Sequence, residues 1–204
     1  MNQPIENKPN KYYYNMKELK VFDIIVDALD DNLGVQTISL VEHPAVEIGF
    51  LKFEEHQPIE LKFNEEKHII TGVAMLADTP IYRCNPQYGE HYVIFTKDTI
   101  RTIIEKYSKL GLNNLVNIEH SQEKYVNDVY MIESYLVDKE RGVNPIEFES
   151  VPNGSWIVSF KVNNLDVWDA IKTNKVTGFS IEGWFEYGDE RDNKFDNWIK
   201  KLIE

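Results

Sequence analysis

The chain has 204 residues and a formal net charge of −12, because 34 acidic residues outnumber 22 basic ones. This length is typical of one domain with tails. A charge of that sign repels nucleic-acid phosphates and anionic lipids, so neither is expected as a partner. No apolar run approaches the ~20 residues that span a bilayer, and the single cysteine, Cys84, leaves no internal disulfide. These features predict a soluble protein of a reducing compartment.

Short apolar runs separated by turn residues predict a body made mostly of strands, over residues 19–187. Before this body, residues 1–18 are polar, contain two prolines and are predicted to be a flexible leader. The predicted strands are 21–26, 34–41, 68–76, 91–95, 115–120, 129–137, 156–162 and a last strand running to about 187. The segment 78–90 contains two prolines and a glycine and is predicted to be a loop.

Two helices are predicted within the body and a third at the C-terminus. Thr96 is of the type found at N-caps, apolar side chains follow at helical spacing, and Gly111 ends the helix. A shorter helix is predicted from Leu165 to about Thr173. Residues 188–204 are predicted to form an amphipathic helix that packs on the body or contacts a subunit or scaffold. The many strands predict an α+β, β-rich fold, a small closed or nearly closed barrel with two or three flanking helices.

One segment, Val176–Gly183 (VTGFSIEG), places a single hydroxyl, Ser180, in a short apolar strand. Gly178 and Gly183 leave room for another backbone to approach, such as that of a substrate. A serine becomes a nucleophile only with a neighbouring base, usually histidine. His120, at the end of an earlier apolar run, is the best candidate for that base. The residues alone also fit a buried serine that bonds its own sheet and a histidine that caps a strand.

The histidines do not have the spacing of a metal site. They are His43, His56, His68, His91 and His120. No two share the i, i+4 helical spacing of a zinc protease, and there is no cysteine pair. The glycines nowhere form a phosphate-binding loop before a helix. We therefore expect neither a metal nor another cofactor.

Four segments, in order, resemble the XkdF-type phage prohead (capsid maturation) serine proteases. They are Ile38–Ala45 (ISLVEHPA), Gly72–Leu76 (GVAML) followed by Asp78 and Pro80, Asn117–His120 (NIEH) with Ile132–Ser134 (IES), and Gly154–Ile157 (GSWI) with Trp168–Lys172 (WDAIK) and Thr177–Gly183 (TGFSIEG). Together they cover about residues 33–187. The resemblance implies a small β-barrel with flanking helices, similar to herpesvirus assemblin, and a serine endopeptidase without a cofactor.

Carried over position by position, the resemblance makes Ser180 the nucleophile and His120 the general base. Glu133 occupies the glutamate of the family's "E-S" motif and is the first choice for the carboxylate that orients the histidine. A simple hairpin between the two strands concerned would, however, leave Glu133 roughly 16 Å along the strand from His120. Many relatives have an aspartate directly after the histidine, whereas this chain has Ser121.

Three other residues remain open as the third catalytic member. Glu182 shares a strand face with Ser180, two residues and about 7 Å away. Glu42 and His43 are outside possibilities, because assemblins use a second histidine.

The implied function is phage capsid maturation. The enzyme would cleave the scaffold protein, the major capsid protein and itself inside the assembling procapsid, in the host cytoplasm, with a possible homodimer. The alternative is a catalytically silent β-barrel that acts as a scaffold or capsid-assembly component, because a fold does not guarantee its chemistry.

Overall fold

The structure is a computed structural model that describes residues 19–44, 59–121 and 125–191. Within these ranges strands dominate. The strands are β1 (Lys20–Ile25), β2 (Gly34–Val41), β3 (Lys62–Asn64), β4 (Ile69–Met75), β5 (Pro80–Asn85), β6 (Gly89–Ile94), β7 (Val116–Ile118), β8 (Val129–Leu136), β9 (Trp156–Val162), β10 (Gly178–Trp184) and β11 (Glu186–Glu190). The helices are α1 (Lys97–Lys109) and α2 (Leu165–Lys172), with 3₁₀ turns at Leu112–Asn114 and Ile146–Phe148.

The described strands form three hydrogen-bonded sheets, in the orders β11-β1-β6-β5, β10-β2-β7 and β3-β4-β9-β8. One apolar core joins them, since it contains Ile24, Ile38 and Ile70, one residue from each sheet. The predicted α+β, β-rich class is confirmed. The predicted barrel is not, because no sheet closes on itself over the described residues.

Both predicted helices of the body are present, and α1 has the N-cap that the sequence predicts. The Thr96 hydroxyl accepts a hydrogen bond from the Thr99 N–H at 3.1 Å, which starts α1. Ile100 on α1 is fully buried, so the apolar stripe faces the core. α2 begins after Asn164, whose side chain accepts two backbone N–H bonds, and Trp168 is buried on its inner face.

The segment predicted as a loop over 78–90 contains β5 and the turn into β6, so that prediction was wrong. β5 pairs antiparallel with β6 along its whole length and is the edge strand of its sheet. Pro80 is tolerated because the first residue of an edge strand need not donate to a ladder. The Asn85 side chain accepts the N–H groups of Gln87 and Tyr88 and so closes the turn.

The strand predicted to run to about 187 is two strands in different sheets, since β10 ends at Trp184 and β11 begins at Glu186. β11 includes residues 188–190, so the predicted C-terminal helix does not begin at 188. The rest of that helix and the predicted leader, 1–18, lie outside the described residues. Over the described ranges, no helix has the length and apolar character needed to cross a membrane.

Candidate active site

A polar face lies where β10 pairs antiparallel with β2. Ser180 is directly opposite Ser39, and Glu182 is directly opposite Thr37. Because alternate residues of a strand share a face, these four side chains lie on one side of the sheet. Phe179, directly before Ser180 in sequence, points to the other side and is buried in the apolar core. The sequence of β10 therefore divides cleanly into a core face and a polar face.

The glycines that flank Ser180 make room for the protein's own chain. A Cβ on Gly183 would lie 2.1 Å from the carbonyl oxygen of Gly34, and one on Gly178 would lie 2.6 Å from the ring of Pro44. The sequence predicted open space for another backbone such as a substrate's. Gly183 does admit another backbone, but it is that of β2. The register also shifts between Glu182 and Gly183, which marks a β-bulge beside the site.

His120 lies in a tight turn just after β7 rather than in a strand. β7 pairs in parallel with β2, which carries this turn to the polar face. Glu119 and His120 have φ values of 51° and 57°, and the Ser121 N–H donates to the Ile118 carbonyl at 3.1 Å. Positive φ at both central residues is the pattern of a type I′ turn. Each costs roughly 1 kcal/mol in a residue that is not glycine, and such strain is found at functional sites.

The imidazole of His120 joins a hydrogen-bonded cluster. Its Nδ1 is 3.2 Å from the Ser39 Oγ and 3.3 Å from the Glu182 Oε1. The Ser39 hydroxyl and the Asn117 amide, at 2.6 Å, both donate to the same Glu182 oxygen. Since Ser39 gives its proton to Glu182, it can only accept from His120, so Nδ1 carries the hydrogen. That tautomer leaves the lone pair on Nε2, where a general base needs it.

The Glu182 carboxylate is the negative group of this cluster. Burial raises the pKa of Glu182, but the hydrogen bonds from Ser39 and Asn117 and the charge of His120 outweigh it and lower the pKa below its ordinary value of 4.5. The side chain is 21% exposed. Glu182 is therefore ionised at neutral pH and can stabilise a positive charge on His120.

Two serines face each other in the site, and they differ in how deeply they are buried. Ser39 is completely buried, whereas Ser180 retains 7% exposure and the His120 side chain 46%. Among the described residues none forms a hydrogen bond with the Ser180 hydroxyl, His120 included. Side chains directly opposite on two strands have Cβ atoms about 4.5–5.5 Å apart. The hydroxyl of Ser180 thus lies beside the hydroxyl that holds His120, and of the two serines only Ser180 retains any exposure.

Glu133 lies elsewhere, on β8. Its carboxylate accepts a hydrogen bond from Ser159, whose hydroxyl is also 2.8 Å from that of Thr71. β8 pairs with β9, and β7 pairs with β2. On its other edge β7 forms one antiparallel bridge, from Asn117 to Tyr125, which comes before β8 begins, so the hairpin considered from the sequence does not form. The structure does not bring Glu133 to His120, and it does bring Glu182 there.

The other two candidates for the third member, Glu42 and His43, follow β2 and are exposed. The backbone N–H of Glu42 donates to the Glu119 carboxylate at 2.6 Å, which fastens the turn that bears His120. Neither the Glu42 nor the His43 side chain forms a hydrogen bond or ion pair with His120 in the part of the chain that the structure describes.

Sequence reasoning missed two members of the cluster, Ser39 and Asn117. Ser39 is a serine between aliphatic residues, and Asn117 stands in an ordinary short strand. Both lie inside segments that resemble the family, and this resemblance was the one sequence feature that could have indicated a role for them. Their contribution depends on the strand register, which places them beside Glu182. Over the described ranges no three His, Cys, Asp or Glu side chains group as metal ligands.

A family model described as "Putative phage serine protease XkdF" matches residues 57–188. The match covers more than half of the chain and includes His120, Ser180 and Glu182, whereas Ser39 lies before it. No curated protein and no solved structure matches the chain, and the relation to herpesvirus assemblin stays a prediction. The match shows that the chain belongs to the family of XkdF-type phage serine proteases.

Proposed function

We propose that this protein is a serine endopeptidase in which Ser180 is the nucleophile, His120 the general base and Glu182 the carboxylate that orients the histidine. The main observation behind this proposal is that the His120 Nδ1 contacts Glu182 on the strand face that holds Ser180. Family membership supports the serine protease class. Glu182 replaces Glu133 in this assignment because it is the carboxylate in contact with the imidazole.

The proposed reaction is acyl transfer in two steps. The Ser180 Oγ attacks the scissile carbonyl carbon, and its proton passes to the His120 Nε2. His120 then gives this proton to the departing amine as the C–N bond breaks, which leaves an acyl-enzyme. A water molecule, deprotonated in turn by His120, hydrolyses the ester and restores Ser180. Glu182 stays ionised throughout and stabilises the imidazolium.

We further propose that the substrates are the phage scaffold protein, the major capsid protein and the protease itself, cleaved inside the assembling procapsid in the host cytoplasm. The phage setting of the family supports this choice. Confinement in a shell would raise the effective concentration of enzyme and substrate, so activity should be low in dilute solution and rise on assembly.

Coexpression with the neighbouring capsid and scaffold genes tests the proposal. The natural chain should produce capsid-protein or scaffold fragments, identified by mass spectrometry. Ser180→Ala should abolish them, because loss of the nucleophile costs several powers of ten in rate, up to ~10⁶. Ser159→Ala is the matched control, since it removes a buried hydroxyl outside the site, and it should retain cleavage. Fragments that persist with Ser180→Ala would remove this serine from the mechanism. Assembly that requires the protein without any cleavage would instead favour a non-catalytic role.

A further inference from the structure

A cleft of about 750 Å³ adjoins the polar face. Glu182 and Thr37 line it on the side of β10 and β2, and Arg83 of β5 lines it from the neighbouring sheet. Several aromatic side chains complete the walls. They are Phe95, Tyr125, Trp184, Phe185 and Tyr187. This volume lies in the range of sites that enclose small ligands or peptide side chains.

Arg83 is the only cationic side chain among the described residues that line this cleft, and Glu182 is the only anionic one. Glu182 is already engaged by Ser39, Asn117 and His120. Arg83 is partly buried, and its guanidinium donates one hydrogen bond, at 2.9 Å, to the carbonyl of the preceding residue. Within the described ranges no carboxylate lies within ion-pair distance of it. Most of its five N–H donors thus have no acceptor there.

This environment leaves a charge that a ligand could compensate. Burial lowers the pKa of Arg83, yet an arginine remains protonated at neutral pH. A partly buried cation without an anion is costly, and the chain as a whole carries 34 acidic residues. A planar guanidinium matches a carboxylate with two parallel hydrogen bonds. The cleft therefore offers a place for one carboxylate beside the proposed active site.

We propose that Arg83 forms a subsite that binds a carboxylate of the peptide substrate, next to the bond that Ser180 cleaves. This inference rests on the proposed protease function. The carboxylate is that of an aspartate or glutamate side chain, or the free C-terminus of a peptide. The aromatic walls would pack on the apolar part of the same residue.

Peptide binding to the full-length Ser180→Ala protein tests the subsite without any turnover. The probes are acetyl-Ala-Ala-Glu-Ala-Ala-amide, the same peptide with Gln in place of Glu, and the Gln peptide with a free C-terminal carboxylate. Calorimetry should show the Glu peptide binding at least about tenfold more tightly than the Gln amide, because charge-assisted hydrogen bonds are stronger than neutral ones. Adding Arg83→Gln should remove this preference. Arg101→Gln is the matched control, because it removes the same charge from an exposed position of α1 and should retain it.

Three results would each overturn the proposed subsite. All three probes could bind with equal affinity, the preference for a carboxylate could survive Arg83→Gln, or no probe could bind at millimolar concentration. Preferential binding of the free C-terminal peptide, lost with Arg83→Gln, would support it and assign the carboxylate to a chain terminus. A failure of the protease proposal is seen separately, as cleavage that survives Ser180→Ala in coexpression. The carboxylate preference would then stand without the catalytic role.

Discussion

Among the residues that the structure describes, two buried serines donate hydrogen bonds to glutamates, Ser39 to Glu182 and Ser159 to Glu133. Both pairs lie on antiparallel strands, and each glutamate borders a register shift. They differ in their neighbours. Glu133 is directly opposite Ser159, whereas the position opposite Ser39 is taken by a second serine, Ser180, and Glu182 approaches Ser39 diagonally.

Each serine–glutamate pair has one further polar neighbour, and this neighbour decides what the pair can do. The Ser159 pair is completed by the hydroxyl of Thr71, which neither titrates near neutral pH nor activates a nucleophile. The Ser39 pair is completed by His120, delivered by a strained turn from another strand. A serine–glutamate pair by itself thus only satisfies the hydrogen bonds of buried polar groups. It becomes a candidate active site only where an imidazole and a second serine hydroxyl join it.

The largest difference in catalytic effect between the two pairs is expected when each glutamate is replaced by glutamine. Glu182→Gln should lower kcat about 10³- to 10⁴-fold, because the neutral amide neither stabilises the imidazolium nor fixes the histidine tautomer. Glu133→Gln should leave kcat within a few-fold of the natural chain. Fragment formation in coexpression, followed over time, measures both. The reverse ranking would return the catalytic role to the glutamate of the "E-S" motif.

The two serines give the next largest contrast. Ser39→Ala removes the group that bonds both His120 and Glu182, so the imidazole is held less well, and misplacement of this kind can cost about a hundredfold in rate. Ser159→Ala should lose a similar stability, about 1 kcal/mol for a buried hydrogen bond, with little change in rate. Urea denaturation and fragment yield together separate these effects. Equal rates for the two variants would make Ser39 merely structural.

The choice between Glu133 and Glu182 also shows how far the sequence alone could lead. Residue types and motif order predicted Ser180 and His120 as site residues, and the two-residue spacing kept Glu182 among the alternatives. The motif favoured Glu133. The structure shows that the Glu133 carboxylate lies away from His120, because β7 pairs with β2 and β8 pairs with β9. The pairing of β7 with β2 joins residues almost 80 positions apart in the chain, and no local pattern encodes it.

The same limit explains the errors in the fold. The cap of α1 and the apolar spacing of α2 are local signals and were identified correctly. β5 was missed because proline and turn residues surround it, although an edge strand tolerates a proline at its start. Closure of a barrel depends on which strand edges meet, which the alternation of apolar residues does not specify.

The bulge beside Glu182 provides a smaller, structural test. Gly183→Ala would place a methyl group against the Gly34 carbonyl, so β10 must shift on β2. We expect a loss of roughly 1–3 kcal/mol in the free energy of unfolding, as for overpacked sites, together with reduced cleavage as Glu182 moves. Gly142→Ala meets no atom within 4 Å but has φ of 72°, so it reports the backbone cost alone, about 1 kcal/mol, and should leave cleavage intact. Normal stability and cleavage with Gly183→Ala would show that the register beside Glu182 is adaptable.

The smallest expected effect is the pH dependence that Glu182 gives to stability. Its pKa is lower in the folded protein than the ordinary value of 4.5, so its ionised form stabilises the fold above that pH. This contribution is lost as the pH falls through the lowered pKa, and Glu182→Gln never has it. The difference in unfolding free energy between Ser180→Ala and Ser180→Ala/Glu182→Gln should therefore be present in full at about pH 6 and shrink below about pH 4.5. Urea denaturation at each pH measures it. A difference that grows in acid would mean that the carboxylate is bound in its protonated form, which is incompatible with its role beside His120.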